Sequence, residues 1–184
     1  FNKKEQSVPI VFIHGVGLTY EIWQPQLDFF KNYSTISYDI LGHGKSSLTK
    51  KNISFDDFSD QLIELINELK IDKIHLVGFS IGSLIARNFA TKYNDRLQSL
   101  VLLGSIYKRS EQQQEIVNQR FEQAKKELKL SRQALKRWFT DKYLENNPGT
   151  YEKISSILSG NNMANFLKVY ELFVKHKNDE DFEK

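Results

Sequence analysis

Ile74-His75-Leu76-Val77-Gly78-Phe79-Ser80-Ile81-Gly82-Ser83-Leu84-Ile85-Ala86-Arg87-Asn88-Phe89-Ala90 reads as a strand that runs into a helix through a turn holding a serine. Ile74–Val77 is an apolar run too short to be a helix, and Leu84–Ala90 carries a helical pattern. Between them stands a complete G-x-S-x-G, Gly78-Phe79-Ser80-Ile81-Gly82. A bare G-x-S-x-G arises often by chance; the strand before it and the helix after it make this one specific. The spacing has a physical reason. A serine at a sharp strand-to-helix turn projects its hydroxyl above the sheet edge, and so tight a turn leaves little room for side chains two residues to either side. The helix N-terminus beneath it favours the negative charge that develops in acyl transfer. Ser80 is therefore the candidate nucleophile, and a positive φ is expected there.

Upstream, Ile13-His14-Gly15-Val16-Gly17 closes the first apolar run. An oxyanion hole needs a second backbone N–H beside the one that follows the nucleophile. A glycine-rich turn lets the backbone approach, which makes the N–H groups of Val16 and Ile81 the expected pair. Asp39-Ile40-Leu41-Gly42-His43-Gly44-Lys45-Ser46-Ser47 ends like a phosphate-binding loop. That motif requires a glycine five residues before Gly44, where Asp39 stands, and a helix where Thr49-Lys50-Lys51-Asn52 reads as loop. Nucleotide binding is set aside.

Around these motifs, Val8–His14, Thr35–Asp39, Lys73–Gly78 and Ser99–Leu103 read as buried strands. Glu21–Phe30, with Trp23, Leu27 and Phe30 on one side, and Phe55–Leu69 read as amphipathic helices, the second capped by Ser54 and Asp57. Strands alternating with helices imply a mostly parallel sheet with helices on both faces. The composition changes near Tyr107. Residues 1–106 alternate strand and helix, whereas 107–184 show helical patterns only: Ile116, Val117, Phe121, Ala124 and Leu128; then Leu135, Trp138, Phe139 and Tyr143; and, after Asn146-Asn147-Pro148-Gly149, a short Ile154–Leu158 segment and a helix with Phe166, Leu167, Tyr170, Phe173 and Val174.

Composition narrows the function classes. The 184 residues are 40% apolar and 27% charged, with a net charge of +3 and basic residues interleaved with acidic ones. No basic stripe points to nucleic acid. The absence of cysteine excludes disulfides, thiolate metal sites and cysteine nucleophiles, and fits a reducing cytoplasm. No apolar run is long enough to span a membrane, and Phe1-Asn2-Lys3-Lys4-Glu5 reads as a charged connection. The four histidines show no metal-ligand spacing, so no metal or cofactor is expected.

Taken together, His14-Gly15, the Asp39…Gly42-His43-Gly44-Lys45-Ser46 turn and Gly78-Phe79-Ser80-Ile81-Gly82 resemble the α/β-hydrolase superfamily, in particular its branch of small esterases, enol-lactonases and carbon–carbon bond hydrolases. The resemblance covers residues 8–106 by motif and 107–184 by architecture. It implies Ser80 as nucleophile, Val16 and Ile81 as oxyanion donors, 1–106 as the N-terminal part of the core, and 107–184 as an inserted helical cap. It also implies that the Gly42-His43-Gly44 turn is structural. A serine nucleophile points away from the dehalogenase and epoxide-hydrolase branches.

Triad partners in such a fold follow in the order Ser, Asp or Glu, His. After Ser80 the only histidine is His176, in the charged last turn of a helix, and the intervening acids Asp95 and Asp141 follow no strand. His14 and His75 precede the serine. The triad acid and histidine are expected beyond Lys184, in C-terminal core strands missing from this chain that would need on the order of 60 residues; Asn178–Lys184 then reads as the charged loop before them. The resulting expectation is a hydrolase of a small carboxylic ester, lactone or related acyl compound. A carbon–carbon bond hydrolase and a non-catalytic binding protein of the same fold are the alternatives.

Overall fold

The structure is a computed structural model and describes residues 7–126, 135–136 and 138–176. The expectations placed on Leu128, on residues 1–5 and on 178–184 lie outside the described residues. Four strands, β1 (Ile10–Ile13), β2 (Thr35–Tyr38), β3 (Ile74–Phe79) and β4 (Leu97–Leu103), form a parallel sheet in the order β2-β1-β3-β4. Each of the four expected runs is a strand, with ends shifted by at most two residues, but β4 is not the buried strand expected: none of its residues is fully buried, and Val101 and Leu103 are exposed. β1 lies between β2 and β3, so its register is fixed on both sides: Ile10 stands opposite Thr35 and His75.

Helices cover both faces. Successive strand residues point to opposite faces, yet Val11, Phe12 and Ile13 are all buried. Phe12 packs against Trp23, 5.0 Å between ring centroids, and against Phe30. Val11 and Ile13 point the other way, into a core shared with Phe58, Leu62, Ile85 and Phe89. Those four come from α2 (Phe55–Glu68) and α3 (Ile81–Lys92). Each large side chain buried there contributes about 1.5–3 kcal/mol relative to exposure. At the start of α2 the Ser54 N–H donates to Asp57 Oδ2 at 2.8 Å, the expected cap.

The Glu21–Phe30 segment is not one helix. It is a 3₁₀ turn, Tyr20–Trp23, followed by α1, Gln24–Phe29. Pro25 explains the break: it has no N–H to continue a ladder from the preceding turn, and it is tolerated only in a first helical turn.

Beyond β4 the described residues are helical. They form α4 (Glu111–Lys126), α5 (Asp141–Asn146), α6 (Thr150–Ser159) and α7 (Met163–Lys175). Thr140 caps α5 and Asn162 caps α7 through their side-chain oxygens. The Thr140 cap interrupts the expected stripe from Leu135 to Tyr143. Along α4 only Phe121 is buried, against Tyr170 of α7, while Ile116 is 40% exposed. α7 reaches the main core: Val169 is fully buried there. Arg109 closes the C-terminal end of α7, where its guanidinium donates to the carbonyls of Phe173, Val174 and His176.

Candidate active site

Ser80 sits between the last residue of β3 and the first of α3 with φ +56° and ψ −119°. A non-glycine residue is rarely held there unless the surroundings enforce it. Three hydrogen bonds do so. The Ser80 N–H donates to Leu103 O at 2.9 Å, and the Ser80 carbonyl accepts from the N–H and the hydroxyl of Ser83. The two flanking glycines are sterically required. A Cβ on Gly78 would stand 2.2 Å from Gly82 O, and one on Gly82 would stand 2.5 Å from Ile13 O. The turn is therefore clamped between its own helix and the end of β1.

Ile81 begins α3, so its N–H is among those with no acceptor inside the helix. The loop after β1 runs alongside: a Cβ added to Gly15 would be 3.4 Å from the Ser80 Cβ. Val16 follows directly on that contact.

Two buried histidines fix this loop. The ring of His14 bonds to Gly15 O through Nδ1 at 2.8 Å, and its Nε2 accepts the Ile40 N–H at 3.1 Å. His43 Nε2 accepts the Gly17 N–H at 2.8 Å. Each ring uses Nε2 as an acceptor, which requires the neutral tautomer with the proton on Nδ1. Burial agrees, pushing His14 down to about 4 and His43 down to about 3, the latter helped by its neighbour His14. The His14 Nε2 to Asp39 separation of 4.0 Å is accordingly not an ion pair.

Asp39 organises the second turn. Its carboxylate accepts the N–H groups of Tyr20 and Lys45, at 2.9 and 3.0 Å, and its carbonyl accepts Ser46 Oγ and Gln61 Nε2. A Cβ on Gly44 would lie 2.1 Å from Asp39 Oδ2. Gly44 thus makes room for a carboxylate, a group that would repel a phosphate.

One residue here carries no sequence signal. Asn161, between α6 and α7, is buried. Its Nδ2 donates to Gly17 O at 3.0 Å and to Ile157 O, while its Oδ1 accepts the Gly44 N–H at 3.4 Å. It ties the helical segment to both loops beside Ser80. In sequence it looks like an ordinary helix-breaking residue in Ser159-Gly160-Asn161-Asn162.

The other histidines are engaged elsewhere. His75 pairs with Ser99 Oγ across β3 and β4. His176 follows the last residue of α7 with its ring edge-on to Phe55, and burial, then the charges of Arg109 and Arg87, push it to about 4. Among the described residues no histidine is hydrogen-bonded to Ser80. Asp95 is exposed in a 3₁₀ turn, and Asp141 opens α5 paired with Lys136. Neither acid contacts a histidine.

A cavity of about 260 Å³ opens beside the elbow. Phe79 and Leu103, the peptide neighbour and the hydrogen-bond acceptor of Ser80, form one wall. Trp138, Phe139 and Ile154 from the helical segment form another.

Residues 8–153 match the family model described as alpha/beta hydrolase fold. The chain belongs to that family. Among its relatives, the (E)-2-((N-methylformamido)methylene)succinate hydrolase of Acinetobacter baylyi is 34% identical over 171 residues, which is 92% of this chain and 64% of the relative. The 3-oxoadipate enol-lactonase 2 of the same organism is 26% identical over 82% of this chain and 57% of its own length. This alpha/beta hydrolase chain thus spans somewhat under two thirds of the curated relatives it matches. Among solved structures, the enol-lactonase from Burkholderia xenovorans superposes with a TM-score of 0.79 at 23% identity, covering 94% of this chain and 66% of that one, which establishes the shared fold.

Proposed function

We propose that this chain carries the nucleophile and oxyanion hole of a hydrolase that cleaves a small carboxylic ester or lactone. The observation that carries the reading is Ser80 at φ +56° between two glycines that admit no Cβ. In the reaction Ser80 Oγ attacks the carbonyl carbon and gives its proton to a general base. The carbonyl oxygen, now negative, is held by the N–H groups of Val16 and Ile81. Collapse of the adduct breaks the bond to the leaving oxygen, which takes the proton, and water then releases the acyl group from Ser80 by the same steps.

None of the four histidines is hydrogen-bonded to Ser80: His14 and His43 hold the loops, His75 pairs with Ser99 and His176 packs on Phe55, which supports a base other than these four. The base and its orienting acid come from elsewhere in the intact protein. Residues 107–184 act as a cap that shapes the substrate pocket, a role supported by Trp138 and Ile154 in the cavity wall and by Asn161 on Gly17. The names of the relatives, an enol-lactonase and an (E)-2-((N-methylformamido)methylene)succinate hydrolase, support a small acyl substrate.

A panel of short-chain esters and enol-lactones, offered to the intact protein and to its Ser80→Ala variant, tests the reading. Turnover of at least one compound, reduced by about 10³-fold or more in the variant, is expected. Equal turnover by both proteins, or none on the whole panel, overturns it.

A further inference from the structure

The turn after β1 is joined to the helical segment by a run of amide groups. The Leu18 N–H donates to Gly15 O at 3.2 Å, which closes a turn over residues 15–18 with Gly17 at φ +78°. A trans peptide is planar, with its C=O and N–H on opposite edges. Whatever holds a carbonyl therefore aims the N–H behind it. Gly15 O shares a peptide with the Val16 N–H, and Gly17 O shares one with the Leu18 N–H. Asn161 Nδ2 donates to Gly17 O at 3.0 Å. Three amides thus stand head to tail: the Asn161 side chain, the peptide from Gly17 to Leu18, and the peptide from Gly15 to Val16. The last donor in the row, the Val16 N–H, has no acceptor among the described residues. The direction of the row is forced at its head. Asn161 Nδ2 lies within 3.2 Å of the carbonyls of Gly17, Ile157 and Leu158, while Oδ1 faces the Gly44 N–H. Only the NH₂ of an amide can serve three carbonyls. Asn161, Gly15, Gly17 and Leu18 are all buried, where each hydrogen bond polarises the next.

We infer that Asn161 is a positioning residue for the oxyanion hole: without touching substrate, it sets the aim and donor strength of the Val16 N–H through the peptides of Gly17 and Gly15. The inference rests on the hydrolase reading, which makes that N–H an oxyanion donor. Two features bound the effect. His14 Nδ1 also holds Gly15 O, at 2.8 Å, so the last peptide keeps one hold when Asn161 is lost. The Ile81 N–H belongs to α3 and stands outside the row. Loss of Asn161 therefore weakens one of two donors and does not empty the hole. Contact supports the same link. A Cβ on Gly17 would stand 2.7 Å from Leu158 Cδ1 and 3.0 Å from Phe166 Cε2, so α6 and α7 bear directly on the turn. The helical segment is on this account more than a cover. It contributes to stabilising the transition state through one buried side chain.

The role is tested on the intact protein and its Asn161→Ala variant with one ester and its thiono counterpart, in which sulfur replaces the carbonyl oxygen. Donors placed for an oxyanion favour oxygen over the longer and more weakly accepting C–S group. In the variant, kcat on the oxygen ester is expected to fall about 10- to 100-fold, with KM changed less than about threefold. The preference for the oxygen ester over the thiono ester should shrink with it. A merely structural role lowers the amount of active protein and so slows both esters alike. An unchanged preference overturns the assignment, whatever the fall in kcat. A second measurement uses the wild-type protein and does not depend on the folding of the variant. With trifluoromethyl butyl ketone, Ser80 Oγ adds to the carbonyl carbon, its proton passes to the general base, and the carbonyl oxygen becomes an oxyanion. Coupling is reciprocal, so an oxyanion that draws on the Val16 N–H tightens the head of the row. Exchange of the Asn161 side-chain amide protons, followed by NMR, is expected to slow about fivefold or more in the adduct. Exchange that does not slow overturns the assignment. Turnover with an unchanged oxygen preference sinks the positioning role alone, whereas a wild-type protein that neither turns over an ester nor takes the ketone sinks the hydrolase reading and this role with it.

Discussion

Ser80 holds a strained backbone because its neighbours leave no alternative, and the cost of disturbing them can be stated. Gly82→Ala would drive a methyl group to 2.5 Å from Ile13 O, a backbone atom that cannot rotate away. Overpacking of this kind costs about 1–3 kcal/mol. Chemical denaturation of the intact protein should show that loss, and reactivity at Ser80 should fall with it. Full stability and reactivity in Gly82→Ala would mean that the turn relaxes freely and that its geometry is not enforced. The buried histidines give a second expectation. His14 and His43 are pushed to about 4 and about 3 from an ordinary 6.5. The unfolded chain therefore takes up their protons first, and stability rises with pH wherever the unfolded state binds more protons. Their contribution is complete above pH 6.5 and is lost as the pH falls toward 4 and then 3. At pH 5 the loss is on the order of 2 kcal/mol for each ring. Asp57 and Asp60, held below the ordinary carboxylate range, add a loss of the same sign only at more acid pH. Urea unfolding at pH 7.5 and pH 5 checks this. Equal stability at the two values would contradict the neutral, buried assignment of both histidines.

Among elements, what sequence makes visible is what local spacing encodes. β3, the elbow and α3 are contiguous, and each obeys its own periodicity, so the strand, the turn and the positive φ at Ser80 can all be read from Ile74–Ala90. Glu21–Phe30 shows the limit. Its apolar spacing fits one helix, but Pro25 restarts it, and a period count does not weigh a missing N–H. The loop network was hidden for a different reason. His43 meets Gly17 across 26 residues, and Asn161 meets it across 144. Pairings that distant have no signature in one sequence, and the Gly42-His43-Gly44 turn alone says only that the segment bends. The Asn161 bridge carries its own expectation. Asn161→Ala leaves the buried Gly17 carbonyl without this donor, at about 1–3 kcal/mol, while the exposed Gly44 N–H can turn to water. Hydrogen exchange should accelerate in residues 15–18 and 42–46 while the centre of β1 stays protected. Unchanged exchange in both loops would show that α6 and α7 do not hold them.

For the molecule as a whole, the sheet is covered unevenly. β1 is buried on both faces, whereas β4 pairs only with β3 among the described residues and exposes Val101 and Leu103, 44% and 40% accessible. A strand with one free edge and apolar residues in water invites pairing or aggregation. The chain also spans 64% and 57% of two curated relatives, and none of its four histidines is hydrogen-bonded to Ser80. Residues 1–184 expressed alone are therefore expected to hydrolyse esters far more slowly than the intact protein, since a serine hydroxyl without a base is a poor nucleophile. Comparable rates would return His176 to consideration, with His176→Ala as the deciding variant. The central claim, that Ser80 is an activated nucleophile, is tested most directly by treating the intact protein with a fluorophosphonate probe and locating the adduct by peptide mass spectrometry. A single adduct on Ser80 that disappears in Ser80→Ala is the expected result. An intact, folded protein that takes no label, or takes it at another residue, would contradict the account.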